Sequence, residues 1–215
     1  MKGGLVLAGG KSTRFGGNKA LVRLGEKPLI THVVDVALRV ADEVVVAIGR
    51  ESSSVVYRKL LPESVTLVKD RLRAKSPLVG ILTGLQVMKS EYSIVLSCDT
   101  PFASGEVLEL LFKKAVHSDA AVPQWPNGDL EPLQSVYKVR PTISAAKNAL
   151  RYEEFGSIDM IERLSKVTYV PVKEIKSIDK GLTTFFNINR RSDLRRAERF
   201  LFVTQPRGTA KTIVV

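Results

Sequence analysis

The 215-residue chain, 44% hydrophobic and 26% charged, is long enough for one sizeable core and ordinary for a single globular domain, expected over 1–203 with a tail over 204–215. No apolar run approaches the ~18 residues of a membrane span and no signal-peptide pattern opens the chain, so a cytoplasmic protein with no membrane partner is expected. The formal net charge of +11 favours anionic partners; aromatics make up only 7% and are not interleaved with the basic residues, which argues against nucleic acid, while phosphorylated small molecules would use the same field and a basic surface adapted to a hot or crowded cell is a third reading.

Leu5, Val6 and Leu7 form a short apolar run suited to a strand buried on both faces of a parallel sheet. Ala8, Gly9 and Gly10 follow at once, and residues this small let a ligand approach the backbone closely. Lys11, Arg14 and Lys19 add three cations to the same loop. A strand that opens into such a turn predicts a site for an anion, above all a polyphosphate. Two better-known phosphate loops do not fit. The pattern G-x-x-x-x-G-K-S/T needs glycine at position 5, where Leu5 stands, and G-x-G-x-x-G fails because Gly9 and Gly10 are adjacent.

Further along, residues 20–24 read as a short extended piece ending at Gly25, and 28–41 as an amphipathic helix opened by Pro28, with His32 off its apolar stripe. Glu43 to Ile48 reads as a second buried strand, stopped by Gly49, which implies a parallel crossover. A helix over 54–61 and a strand over 66–69 lead to Asp70 at that strand's carboxyl end, where open α/β sheets bind ligands. A basic loop over 71–75 precedes a helix begun by Pro77 that carries Gly80, whose missing Cβ permits close approach of a base or of backbone. Ser93 to Ser97 is the next buried strand and ends in Cys98-Asp99-Thr100-Pro101-Phe102. Ser104 can cap the helix that follows.

Cys98 is the one cysteine, so no internal disulfide forms, and it reads as a packed thiol. With only His32 and His117 as imidazoles, any metal is expected to be hard and oxygen-bound, such as magnesium. Asp99, at the tip of a strand and held by a proline-restricted turn, is suited to such an ion.

The last third reads as a strand over 120–123, a turn-rich loop over 124–129, an extended piece over 131–137, helices over 141–150 and 157–164, and a strand over 167–172. A polar connection follows over 173–181, then Phe185-Phe186-Asn187-Ile188-Asn189 and a closing helix whose apolar face is Leu194, Ala197, Phe200 and Leu201. The end of the tail, Thr212 to Val215, has strand character and is expected to pair with a sheet edge or with a neighbouring subunit, making a homo-oligomer. The fold class is α/β, a three-layer α/β/α sandwich with a mostly parallel sheet.

The run Leu7-Ala8-Gly9-Gly10-Lys11-Ser12-Thr13-Arg14-Phe15-Gly16-Gly17-Asn18-Lys19 resembles L-A-G-G-x-S-x-R-M/F-G-x-D/N-K, a signature of nucleotidyltransferases that join an NTP to a phosphorylated acceptor. Within that superfamily the chain is most similar to the molybdenum cofactor guanylyltransferases. Ser76-Pro77-Leu78-Val79-Gly80-Ile81 resembles that family's G-P-L-x-G-I/L, with serine for its usual first glycine; Cys98 to Phe102 resembles C/G-D-x-P-F/Y. Pro132-Leu133-Gln134-Ser135-Val136-Tyr137 is similar to P-L-x-x-V/L-Y on the acceptor side of the cleft, and Phe185 to Asn189 to F-x-N-I/V-N. Where the family continues T-P-E/D-D/E-L, this chain has Arg190-Arg191-Ser192-Asp193-Leu194, losing a proline and gaining two cations. Ala47 occupies a place where the family often has a nucleotide-contacting asparagine.

The resemblance implies a nucleotide-diphospho-sugar transferase-like fold and a magnesium-dependent transfer of GMP from GTP to the phosphate of molybdopterin, with release of pyrophosphate. It implies Arg14, Lys19 and Asp99 as catalytic residues, with Asp99 also the metal ligand. Nucleotide contacts fall on Leu7, Ala8, Gly9, Gly10, Lys11, Lys19, Asp70, Gly80 and Asp99, and acceptor contacts on Asn187 and Asn189. Trp125 either stacks on the pterin or covers the core. Two further readings stay open from the residues: a sister enzyme using CTP or another acceptor, such as cobinamide phosphate, and a basic nucleotide- or RNA-binding module.

Overall fold

The computed structural model describes residues 1–9, 15, 17–70, 72, 74 and 76–204, the last three of these through the backbone only. The chain begins with β1 (Lys2–Ala8), then a 3₁₀ turn (Lys19–Leu21) and a small hairpin of β2 (Arg23–Leu24) and β3 (Lys27–Pro28). Two crossovers follow: α1 (Leu29–Val40) into β4 (Glu43–Ile48), and α2 (Ser54–Leu60) into β5 (Thr66–Lys69). Then come α3 (Pro77–Leu85), β6 (Tyr92–Ser97), α4 (Gly105–Ala115), β7 (Ala120–Gln124) and β8 (Gln134–Lys138). The described chain closes with α5 (Val139–Arg151), α6 (Ser157–Ile161), β9 (Val167–Pro171), α7 (Val172–Lys176) and α8 (Arg191–Thr204).

Seven strands form one sheet in the order β5-β4-β1-β6-β8-β7-β9. All run the same way except β8, which pairs antiparallel with both β6 and β7. The strand alternation divides the core cleanly. Val6 and Ala8 of β1 pack with α1, α4 and α7, whereas Leu5 and Leu7 pack with α3, α5 and α6. Burying a strand on both faces requires the unbroken apolar run that opens the chain. The expected three-layer α/β sandwich is therefore the observed one. No helix among the described residues is long and apolar enough to cross a membrane.

The contact between α3 and β1 is close because α3 presents glycine twice, one turn apart. A Cβ at Gly84 would lie 2.2 Å from Leu5 Cδ1, and one at Gly80 would lie 3.2 Å from Leu7 Cδ2. A third, smaller cluster of Leu24, Leu29, Ile188 and Ala197 ties the hairpin to α8. Above it, the rings of Phe102, Phe186 and Phe200 meet at centroid separations of 5.5–6.0 Å.

Several boundaries differ from the sequence reading, each for a local reason. Residues 19–21 wind into the 3₁₀ turn rather than extending, because the Asn18 side chain accepts from the Ala20 N–H at 3.1 Å and caps the turn. Helix α5 starts two residues earlier than periodicity suggested; Pro141 sits in its first turn, where a missing N–H costs nothing. Helix α6 is shorter, ending at Ile161. The polar stretch after β9 contains α7, whose Val172 and Ile175 are buried. The strand expected from 131 begins at Gln134.

Candidate active site

The chain leaves β1 toward β4 and β5 on one side and returns to place β6 on the other, so the carboxyl ends of β1 and β6 border a topological switch point. Register brings the strand ends level: Leu7 pairs with Ala47 and Ser97, and Ile48 with Ala8 and Lys69. The first residues past these ends are Gly9, Gly49, Asp70 and Cys98-Asp99.

At the β1 end, the side chains of Leu7 and Ala8 are buried in the two core layers, so only backbone can face a ligand there. The Leu7 carbonyl accepts from the Cys98 N–H at 3.0 Å. Gly9 and Gly49 touch: a Cβ on Gly49 would lie 2.7 Å from the Gly9 carbonyl oxygen. Asp70 donates its N–H to the Ile48 carbonyl at 2.9 Å, and its Oδ2 lies 3.2 Å from where a Cβ on Gly9 would stand. Burial pushes the Asp70 carboxyl above its ordinary range, while a side-chain hydrogen bond with Thr83 pulls it back. Its Oδ1 is buried with no hydrogen-bond partner. Gly10, Lys11 and Arg14 lie outside the described residues, as do 205–215 of the tail.

Tyr57 locks the far end of the loop. Its ring is fully buried in α2, its hydroxyl donates to the Ala8 carbonyl at 3.3 Å, and it accepts from Asn18 Nδ2 at 2.8 Å. Burial pushes the phenol up to about 12, so it stays a neutral donor at physiological pH. Asn18 is thereby held on both sides, between Tyr57 and the Ala20 N–H, and Lys19 leaves this anchored point toward β6.

There Lys19 Nζ donates to Asp99 Oδ2 at 2.5 Å and to Asn189 Oδ1 at 2.7 Å. The Lys19 and Asp99 side chains are each 14% exposed. Asp99 is held from behind: its carbonyl accepts the Ile188 N–H at 2.9 Å, which pins the segment carrying Asn187 and Asn189 against the β6 tip. Asn187 donates from Nδ2 to the Phe185 carbonyl at 3.1 Å. Asp193 caps α8 by accepting the Asn189 and Arg190 N–H groups at 2.9 Å each, which replaces the start that a proline would give.

Asp99 Oδ1, like Asp70 Oδ1, is buried without a hydrogen-bond partner. Such an atom needs a cation or donor to face it. Among the described residues no group of three or more His, Cys, Asp and Glu could hold a metal. Asp99 Oδ1 is the kind of oxygen donor that a hard ion such as magnesium would take, with a polyphosphate and water supplying the rest.

The remaining sequence candidates sort as follows. Gly80 lies in α3, and among the described atoms the close approach that it permits is to Leu7. Ser76, in place of the glycine of the resembled pattern, caps α3 by accepting from the Val79 N–H at 3.3 Å. Ala47 is buried inside the sheet. Burial is the main cause that pushes the Cys98 thiol up to about 12, so it is an inert packed group beside the site. Tyr57 and Gly49 are site-building residues that sequence reasoning missed. A tyrosine on an otherwise ordinary helix gives no sign that its hydroxyl reaches a loop 39 residues earlier.

The chain matches the family model described as MobA-like NTP transferase domain over residues 4–166. It is 34% identical over 197 residues to a probable molybdenum cofactor guanylyltransferase of Methanosarcina mazei, covering 88% of this chain and 87% of that one. It is also 34% identical over 202 residues to a protein of the same name from Pyrococcus furiosus, covering 92% and 97%. Among solved structures, the molybdopterin-guanine dinucleotide biosynthesis protein A of Archaeoglobus fulgidus superposes with a TM-score of 0.81 at 29% identity, covering 95% of this chain and 100% of that one. The motifs, the sheet order and these likenesses agree, and the chain belongs to the MobA-like NTP transferase family.

Proposed function

We propose that this protein moves GMP from GTP to the terminal phosphate of molybdenum-molybdopterin, giving the guanine dinucleotide cofactor and pyrophosphate. The reading is supported by the names of the relatives above. The observation that carries it is the knot of Lys19, Asp99 and Asn189 at the switch point of the sheet.

An acceptor phosphate oxygen attacks the α-phosphorus. One P–O bond forms, the α–β P–O bond breaks, and the electron pair leaves on pyrophosphate. The acceptor phosphate is ionised at neutral pH and needs no general base, so positioning and charge neutralisation carry the catalysis. Lys19, together with Arg14, neutralises charge on the triphosphate. Backbone from Leu7, Ala8, Gly9, Gly10 and Lys11 cradles it, and Asp70 and Gly80 border the nucleotide. Asn187 and Asn189 serve the acceptor phosphate. Asp99 would hold a magnesium ion, which when bound screens the phosphates as a Lewis acid. Before substrate arrives, Lys19 and Asp99 satisfy one another, and this pairing holds both side chains near the place where the phosphates bind.

The test is a pyrophosphate-release assay with purified acceptor, comparing GTP with CTP and ATP, with and without magnesium. Preference for GTP that needs the metal supports the reading. Equal use of CTP, or full transfer in chelator, contradicts it.

A further inference from the structure

On the same carboxyl edge of the sheet, where β7 turns into β8, lies a pocket of about 600 Å³. Its lining combines the aromatic Trp125 and the apolar Pro126, Leu130 and Ile158 with the polar Asn127, Asp129 and Glu131. The pocket is separated from the β1 end by β6 and β8, three strand spacings or roughly 14 Å. It is also connected to the site by contact. The Trp125 indole meets the Phe185 ring at 5.6 Å, Asn187 bonds the Phe185 carbonyl, and two residues on Asn189 accepts from Lys19.

The charge of the pocket is opposite to that of the molecule. Two of its lining residues are acidic and none is basic, in a chain of net charge +11. A phosphate is repelled there, whereas a flat neutral ring with N–H donors fits. Trp125 Nε1 donates to Glu131 Oε1 at 2.8 Å, which ties the carboxylate to the edge of the indole. Burial pushes the Glu131 carboxyl above its ordinary range, the Trp125 hydrogen bond pulls it back, and the neighbouring Asp129 charge adds to the rise.

We propose that Trp125 and Glu131 read the ring of the acceptor, with Glu131 accepting hydrogen bonds from the amino and adjacent ring N–H of a fused 2-amino-4-oxopyrimidine held along the indole. The acceptor then lies with its ring at β7 and its phosphate toward Asn189 and Lys19. This rests on the proposed reaction and deepens it, by assigning the residues that choose the acceptor. The same donor edge occurs on guanine, so the experiment separates the two sources.

Trp125 is the one tryptophan of the chain, so its fluorescence reports the pocket directly. The intact protein is titrated with free pterin, with lumazine, in which oxo replaces the amino group, and with GTP. The proposal predicts that pterin quenches Trp125 about tenfold more tightly than lumazine, and that Glu131→Gln abolishes this preference. The amide oxygen of glutamine still accepts from Trp125 Nε1, so the variant keeps its fold. In transfer assays Glu131→Gln raises the acceptor KM about tenfold and leaves the GTP KM unchanged. No pterin preference, or a Glu131→Gln variant that keeps it, overturns the proposal. A variant that weakens GTP instead of the acceptor overturns it too, by assigning the pocket to the nucleotide base. Pterin discrimination that persists when GTP is not a substrate upholds the pocket and sinks the GTP reading alone.

Discussion

Lys19 and Asp99 stand 80 residues apart in the chain and meet at 2.5 Å, with both side chains mostly buried at the ends of different elements. Lys19 is anchored beside Asn18 and Asp99 through the Ile188 N–H, so under the proposed function a triphosphate would meet a lysine and a carboxylate already held at the rim. Lys19→Ala should therefore lower transfer by about 100-fold or more while the protein stays folded. Asp99→Asn should lower it comparably and flatten the dependence on magnesium concentration. Steady-state kinetics with circular dichroism as the folding control checks both.

Tyr57→Phe removes one hydroxyl from a buried bridge and leaves the ring volume intact. Asn18 Nδ2 and the Ala8 carbonyl both lose a partner. The expected cost is about 1–3 kcal/mol in urea unfolding, with kcat reduced because Lys19 is less well placed. A variant with native kcat would show that the bridge serves stability alone.

Tyr57 and Cys98 contribute to the alkaline behaviour in the same direction as the fully buried Tyr137, whose phenol is also pushed up by burial. The folded Tyr57 phenol titrates near 12 against an ordinary 10, and the folded Cys98 thiol near 12 against an ordinary 9. Between those values the unfolded chain has lost the proton and the native one has not, so the native state binds more protons. Stability from these groups is complete below pH about 9 and falls as pH rises toward 12. Thermal melts across this range should show the decline, and Tyr57→Phe should make it shallower. Iodoacetamide at pH about 8 should label Cys98 slowly in the native protein and quickly in urea.

Glycine substitutions should separate fold from site. Gly84→Ala drives a Cβ to 2.2 Å from Leu5 Cδ1 in a fully packed layer, and should cost about 1–3 kcal/mol of stability. Gly49→Ala meets the Gly9 carbonyl at 2.7 Å, and backbone cannot rotate away. It should shift the β1 end and weaken nucleotide binding more than it lowers the melting temperature. Nucleotide titration and melting of the two variants side by side checks the contrast.

Much of this was legible in the sequence because it is written locally. The unbroken apolar runs of β1, β4 and β6 fix a sheet covered on both faces, and the small residues after Leu7 mark where it opens to a ligand. Asp70 and Asp99 were readable as carboxylates at strand ends because each closely follows a short strand, β5 or β6. What the sequence withheld was long-range and individual. Nothing about Tyr57 announces its hydroxyl bridge, and Gly49 reads as a strand stop until register sets it against Gly9. Ser76 departs from the resembled motif, and only its cap shows that it supports the helix start instead. Helix α7 was hidden because two buried residues, Val172 and Ile175, make too short a pattern to stand out from polar neighbours.

The most direct measurement is a double-mutant cycle on kcat/KM for GTP with Lys19→Ala, Asp99→Asn and the pair together. If both residues act on one triphosphate as a unit, the double variant is scarcely slower than the worse single one. Losses that multiply independently would contradict a shared site.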